Sequence, residues 1–184
     1  MLETKRLVLR AWRDSDAESL YEYAKDPRVG PLAGWPVHTS VKDSREIIRD
    51  VLSADETYAV VLKGVEGEEG DRAIGSVGLY LGARSDLGIA ADEAEVGYWL
   101  GVPFWGRGLI PEATEELLRH AFEDLGLSAI WCGYFDKNEN SKRVSEKCGF
   151  RFQHTEKNKQ FSLIGAVKTQ HVTRITKDEW VARA

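Results

Sequence analysis

The sequence predicts a mixed α/β (α+β) fold, with helices flanking one sheet. Two observations predict it. Short β-prone runs interleave with helical stripes, and the second half reads strand, loop, helix, strand, helix, strand, strand. The chain of 184 residues is also 42% hydrophobic and 30% charged, enough apolar content for a real core and too much for a disordered chain. At roughly 100–200 residues per domain, this length reads as one domain spanning residues 1–184.

The elements follow in order. Arg6 to Arg10 is short and β-rich enough for an opening strand. Asp14, Ser15 and Asp16 supply cap residues ahead of a helix over Ala17 to Lys25, which Pro27 stops. Val29 to Thr39 reads as a loop that displays Leu32 and Trp35. Thr39 and Ser40 can cap a second helix, on which Ser44, Ile47, Ile48, Val51 and Leu52 share one side. Tyr58 to Leu62 and Ala73 to Leu81 read as strands joined by the polar, glycine-rich turn Gly64 to Asp71. A loop over Gly82 to Asp92 leads to the strand Glu95 to Leu100. Beyond Val102 to Gly108 lies a helix with the apolar stripe Ala113, Leu117, Leu118, Ala121, Phe122 and Leu125, closed by Gly126. Ala129 to Phe135 is a continuous run suited to an interior strand. Asp136, Lys137 and Asn138 open a polar helix that ends at Gly149. Strands near Phe150 to Glu156 and Gln170 to Ile175 precede a short turn capped by Thr176.

Composition narrows the function classes. A formal charge of −5 makes general binding to a phosphate backbone a poor fit, so no nucleic-acid partner is expected. No apolar stretch approaches the roughly 20 residues needed to cross a bilayer, and Met1 to Arg10 lacks the apolar region of a signal peptide. A cytoplasmic protein without a membrane partner is the expectation. Cys132 and Cys148 lie outside any metal or redox spacing and read as reduced, buried thiols. His38, His120, His154 and His171 show no HExxH spacing, so no metal is expected.

The stretch from Glu95 to Ala113 carries the most chemistry. A strand ends, Gly106 and Gly108 follow, and Pro111 sits where the first helical residue is expected. Backbone donors just before a helix are unpaired and carry the positive end of its dipole, which suits a phosphate or pyrophosphate. The two glycines equally suit a plain tight turn. Both P-loop and Rossmann fingerprints fail, because Leu109, Ile110 and Pro111 stand where their defining residues belong. Glu112, Glu115 and Glu116 would repel an anion and must point away from it.

A later cluster, Asn138 to Phe150, joins this one. Together with Ala94 to Leu100, Trp105 to Ala113 and the opening Glu3 to Arg10, it resembles the GNAT acyltransferases, and within them the RimJ/RimL-like N-acetyltransferases of N-terminal amines. The likeness spans nearly the whole chain, and all passages occur in order and spacing. It implies a GNAT fold: a mixed, mostly antiparallel, twisted sheet flanked by about four helices, with a V-shaped split between the two central strands. Acetyl-CoA would lie in that V, its pantetheine paired with backbone of Trp99, Leu100, Gly101 and Val102. Its pyrophosphate would take amides of Trp105, Gly106, Arg107, Gly108, Leu109 and Ile110. Trp105 departs from the Gln or Arg common in the family, and Ile110 from Gly or Ala, but the donors are main-chain.

The resemblance also supplies roles. Glu95 is the candidate base, since the family often has Glu there; Asp92, Glu93 and Glu95 equally read as a solvated acidic strand start. By alternation Glu95 shares a face with Trp99. Ser141 matches a position whose hydroxyl can reach the coenzyme sulfur, and otherwise it bonds a helix carbonyl. Ser145 stands where many members have a Tyr acid. Asn138 is a cofactor contact, a helix N-cap, or both. Trp35 and Tyr98 are candidates to line the acceptor site, although aromatics more often pack in cores. No Cys or Ser has a nucleophile-plus-base arrangement, so direct attack by a primary amine in a ternary complex is expected. The acceptor could be a protein N-terminus or a small molecule such as an antibiotic or polyamine. A noncatalytic acyl-CoA-binding module is the alternative from another class, and a homodimer is left open.

Overall fold

Among the described residues, eight strands form one mixed sheet in the order β1-β2-β3-β4-β5-β6-β8-β7. They are β1 (Leu2–Glu3), β2 (Leu7–Arg10), β3 (Thr57–Leu62), β4 (Ala73–Leu81), β5 (Glu93–Leu100), β6 (Ala129–Phe135), β7 (Arg151–Phe161) and β8 (Ala166–Thr176). Helices α1 (Ala17–Ala24), α3 (Val41–Ile47), α4 (Leu109–Arg119) and α5 (Glu139–Lys147) accompany them, with two short additions, α2 (Gly30–Ala33) and α6 (Lys177–Val181). The computed structural model describes residues 1–64 and 68–183, so the centre of the expected turn between β3 and β4 lies outside the described residues. No helix among the described residues is long and apolar enough to cross a membrane. The chain divides into two compact units, Met1–Gly78 with Tyr98–Ala113, and Leu79–Gly97 with the residues from Thr114 onward.

In the first unit β1, β2 and β3 pair antiparallel, with Leu7 opposite Leu62 and Arg10 opposite Ala59. Leu7 and Leu9 are fully buried on one face of β2, and Leu20 on α1 is buried with them. Three such side chains together contribute about 5–9 kcal/mol, comparable to a domain's whole net stability, which sustains a strand of only four residues. Arg10 is buried too, and its guanidinium donates to both oxygens of Asp16 at 2.8 Å. Asp16 is therefore more than the expected cap residue: it neutralises a buried charge and also accepts from the Arg13 amide at 2.8 Å. Ser40 caps α3, accepting from the Asp43 amide at 3.0 Å.

The α3 stripe holds only in part. Ser44 and Ile48 are buried, but a π-helical turn over Ile48–Leu52 shifts the phase of the side chains, and Val51 is exposed. The core gathers Trp12, Ala17, Leu20, Ala24, Ile48, Ala59 and Ala73, against which Trp35 and Trp99 pack. At Gly75 the backbones meet closely: a Cβ there would stand 2.5 Å from the Trp99 carbonyl oxygen.

In the second unit β5 and β6 run parallel, with Glu93, Ala94 and Glu95 opposite Ala129, Ile130 and Trp131. Along its whole length β6 pairs antiparallel with β8, from Ala129↔Thr176 to Phe135↔Gln170. Leu117 and Leu118 on α4, Phe122 in the π-helical turn His120–Asp124 that follows it, and Ile130, Val172 and Ile175 are fully buried. Leu125, the last residue of the expected stripe, lies beyond that turn and is exposed. Cys132 and Cys148 are both buried, and burial pushes the Cys148 thiol above its ordinary range.

The hairpin β7–β8 is longer than its sequence suggests. β7 runs to Phe161 through a bulge, where Glu156 faces Gln170 and Lys159, not residue 158, faces Lys168. Asn158 absorbs the extra residue at φ 56°.

Candidate active site

The first unit contains the segment in which the glycine pair occurs. The amide of Gly101 is tied to the Ile74 carbonyl at 2.8 Å, which fixes the end of β5. A short 3-10 turn over Val102–Phe104 follows, and the Trp105 indole donates to the Leu100 carbonyl at 2.7 Å. Gly106 and Gly108 then adopt φ of 75° and 71°, a region glycine occupies without the usual steric cost. A Cβ at Gly106 would meet nothing within 4 Å, so that residue faces open space.

The helix begins at Leu109, which makes Pro111 its third residue and not its first. Its missing N–H still costs nothing, because the first four amides of a helix lack intrahelical acceptors. Among the described residues, the amides of Gly106, Arg107, Gly108, Leu109 and Ile110 find no protein acceptor. Five such donors beside a helix start are an arrangement that suits an anion. The side chains that depart from the family pattern are structural: Trp105 staples the loop to β5, and Ile110 is buried.

Glu112, the carboxylate nearest these amides in sequence, is turned away from the loop. It accepts from Thr4 Oγ1 at 2.6 Å, the Arg6 amide at 2.8 Å and Arg6 Nε at 2.6 Å. Burial pushes its carboxyl up, but these bonds outweigh burial and hold it below the ordinary range.

Trp35 and Trp99 meet edge to face at 5.7 Å, and Trp99 also stacks on Trp12 at 6.2 Å. Both are half-buried members of the first unit's core, and Tyr98 is half-buried on β5.

The second unit contains three acidic residues that behave differently. Asp92 is exposed. Glu93 is buried and fully engaged: it accepts from the Trp131 indole at 2.9 Å, Arg174 at 2.9 Å and the Ala90 amide at 3.1 Å. Glu95 is half-buried, and its hydrogen-bond donor is Ser85 Oγ at 2.7 Å. Burial raises its carboxyl; the Ser85 bond and Lys159 pull it down, Asp86 and Glu156 push it up, and it comes to rest at about 7. A carboxyl held near neutrality can both take and return a proton under working conditions.

Around it, Tyr80 covers Gly97, and Lys159 bonds Gln170 at 2.9 Å and Asp86 at 3.2 Å. Ser85, Tyr80 and Lys159 escaped the sequence reading. Ser85 lies in an irregular loop and Lys159 beyond a bulge, and no spacing in the sequence links either to Glu95.

That raised carboxyl has a cost that can be measured. Folded Glu95 keeps its proton up to about pH 7, whereas an unfolded chain releases it near the ordinary value of 4.5. Between those values the folded state binds more protons, so stability falls as pH rises through the window and the loss is complete above it. Glu95→Gln keeps an acceptor for Ser85 and removes the penalty. The variant should be more stable than the parent by about 2 kcal/mol at pH 8 and no more stable at about pH 4.5, read from urea denaturation at both.

On α5, Asn138 is the N-cap, its Oδ1 accepting from the Ser141 amide at 3.2 Å. Ser141 is half-buried on the first turn. Ser145, one turn later, is buried and bonded to Thr173 Oγ1 at 2.9 Å, and Thr173 donates to the Cys132 carbonyl at 3.0 Å. It is held in the core and has no opening to a leaving group. Among the described residues no group of three His, Cys, Asp or Glu side chains could hold a metal ion.

Comparison with known proteins gives consistent matches. The family model described as "Acetyltransferase (GNAT) domain" matches residues 6–151. A Bacillus subtilis (strain 168) protein named "Putative ribosomal N-acetyltransferase YdaF" is 40% identical over 152 residues, covering 79% of this chain and 78% of that one. The solved acetyltransferase (GNAT family) from Bacillus anthracis superposes with a TM-score of 0.82 at 21% identity, covering 97% and 99% of the two chains. The Microcin C7 self immunity acetyltransferase MccE, solved in complex with acetyl-CoA and AMP, matches with a TM-score of 0.70 at 19% identity over 94% and 93%.

Proposed function

We propose, from the premise that the chain belongs to the GNAT acetyltransferase family, that it moves the acetyl group of acetyl-CoA to the α-amine of a peptide or protein N-terminus. The observation that carries the choice of amine is the carboxyl of Glu95, held at about 7. An ordinary carboxylate near 4.3 lies roughly 3.5 pKa units below an α-amine, an uphill proton transfer of about 5 kcal/mol. At about 7 the gap shrinks to roughly one unit, about 1.4 kcal/mol. A lysine amine near 10.4 still leaves a gap of more than about three units. Glu95 is therefore matched to α-amines and poorly matched to lysine side chains.

In this reading the free amides from Gly106 to Ile110 take the diphosphate of acetyl-CoA, and backbone of Trp99 to Val102 pairs with its pantetheine. The acceptor nitrogen attacks the thioester carbonyl; a C–N bond forms as the C–S bond breaks. Glu95 receives the amine proton, directly or through a water. The thiol of CoA has an ordinary pKa of about 8.5, so its thiolate leaves with little help. Ser141 gives it a hydrogen bond and need not transfer a proton, while Asn138 caps the helix that carries Ser141. Trp35 and Tyr98 offer aromatic surface to the acceptor. Ser141→Ala should then lower kcat by less than about a hundredfold, with KM for acetyl-CoA little changed.

The decisive experiment measures thiol release from acetyl-CoA across α-amino peptides, ε-acetylatable lysine peptides, polyamines and aminoglycosides. Preference for α-amino peptides is the expected result. Turnover confined to a small amine would replace the peptide with that acceptor. Thermal stabilisation by CoA without turnover on any amine would make the protein a binding module.

A further inference from the structure

We infer that Thr4 and Arg6, acting through Glu112, are positioning residues for the diphosphate-binding loop; this rests on the reading of that loop given above. Arg6 spans it from behind. Its Nη1 donates to the Arg107 carbonyl at 2.9 Å, its Nη2 to the Gly108 carbonyl at 3.3 Å, and its Nε to Glu112 at 2.6 Å. Thr4 completes the unit. Its hydroxyl donates to Glu112 at 2.6 Å while accepting from the Leu7 amide at 2.9 Å.

Peptide geometry turns these bonds into orientation. In a trans peptide the C=O and N–H point in opposite directions, and this chain has no cis bond among the described residues. The Arg107 carbonyl shares its peptide with the Gly108 amide, and the Gly108 carbonyl with the Leu109 amide. Two oxygens fixed on one guanidinium therefore aim two successive N–H groups away from it, in the sense an anion requires. At positive φ both glycines would otherwise leave the loop a wide choice of conformations.

The charges of the clamp cancel. Arg6 is paired with Glu112, so it adds little net attraction for phosphate; its contribution is the shape of the loop. The Arg6 side chain is also 45% exposed, and ion pairs so placed contribute little to global stability. Loss of Arg6 should leave the chain folded with a loosened loop. The planar fork matters too, because lysine could replace the charge but not the paired contacts to two carbonyls.

The test compares acetyl-CoA with S-acetylpantetheine, which lacks the diphosphate, by calorimetry on the full chain. Arg6→Ala should weaken acetyl-CoA about tenfold or more and leave S-acetylpantetheine unchanged. Arg6→Lys should fail to restore the loss, and Thr4→Val, which removes only the hydroxyl, should show a smaller loss in the same direction. Circular dichroism checks that each variant is folded, and Thr4→Val carries the test if Arg6→Ala is not. If the wild-type protein binds the two thioesters equally, the loop reading fails and the clamp falls with it. If the wild type prefers acetyl-CoA and both variants keep that preference, or Arg6→Lys restores it in full, the clamp alone is overturned.

Discussion

Glu95→Gln should lower kcat/KM about a hundredfold near pH 6.5 and by much less near pH 9. On the proposed mechanism the wild-type enzyme needs Glu95 ionised, so its acid limb should bend at about pH 7. Glutamine cannot accept a proton, and the variant must wait for an amine that is already neutral. Its limb should move to the ordinary pKa of the α-amine, about 7.7–8.0. Above that value both enzymes meet the same neutral nucleophile, and the gap between them narrows. The measurement is kcat/KM against pH with one α-amino peptide. An unchanged profile would remove Glu95 from the chemistry, whatever its effect on stability. The same substitution is expected to stabilise the chain, so lost activity accompanied by a higher melting temperature would identify a group kept for function at the expense of the fold.

Gly75→Ala should have the largest effect on folding. The added Cβ would stand 2.5 Å from the Trp99 carbonyl oxygen and 3.1 Å from the Leu100 Cα, and neither is the far end of a flexible side chain. Backbone must shift, at a cost of about 3 kcal/mol or more. For a chain of this size that lowers the melting temperature by roughly 6–12 °C. The displaced residues are those proposed to pair with pantetheine, so surviving folded protein should bind acetyl-CoA more weakly. Gly64→Ala is the control: it sits at φ 76° with nothing within 4 Å, and the cost there should be about 1 kcal/mol of backbone strain alone.

Most of the architecture was legible because hydrophobic period and turn chemistry agreed. The stripe from Ala113 to Phe122, the caps at Ser40, Asn138 and Thr176, and the apolar run of β6 each specify one local answer. What escaped has physical causes. Alternation on β7 is broken by a bulge, and edge strands tolerate polar residues on both faces, so Lys157 to Gln160 do not read as strand. The π turn after α3 moved Val51 outward for a reason no helical wheel contains.

In the candidate site, the glycine pair and Glu95 could be named from sequence. The difference between Glu93 and Glu95 could not. Two carboxylates two residues apart on one strand meet different surroundings: Arg174 and Trp131 reach Glu93, whereas Glu95 is raised by burial that the Ser85 bond only partly offsets. Arg174 and Trp131 come from distant parts of the chain, and Ser85 from an irregular loop. The same holds for Glu112, whose repulsion of an anion is averted by residues more than a hundred positions away.

The extra residue at Asn158 decides which cation Glu95 senses. It brings Lys159 onto the same side as Glu156 and Gln170, where the ammonium bonds Gln170 and Asp86 and draws the Glu95 carboxyl downward. In an unbulged strand of the same sequence Lys159 would fall three places after Glu156 and face the opposite side, so the cation that offsets Asp86 and Glu156 at Glu95 depends on a single irregular residue in the hairpin.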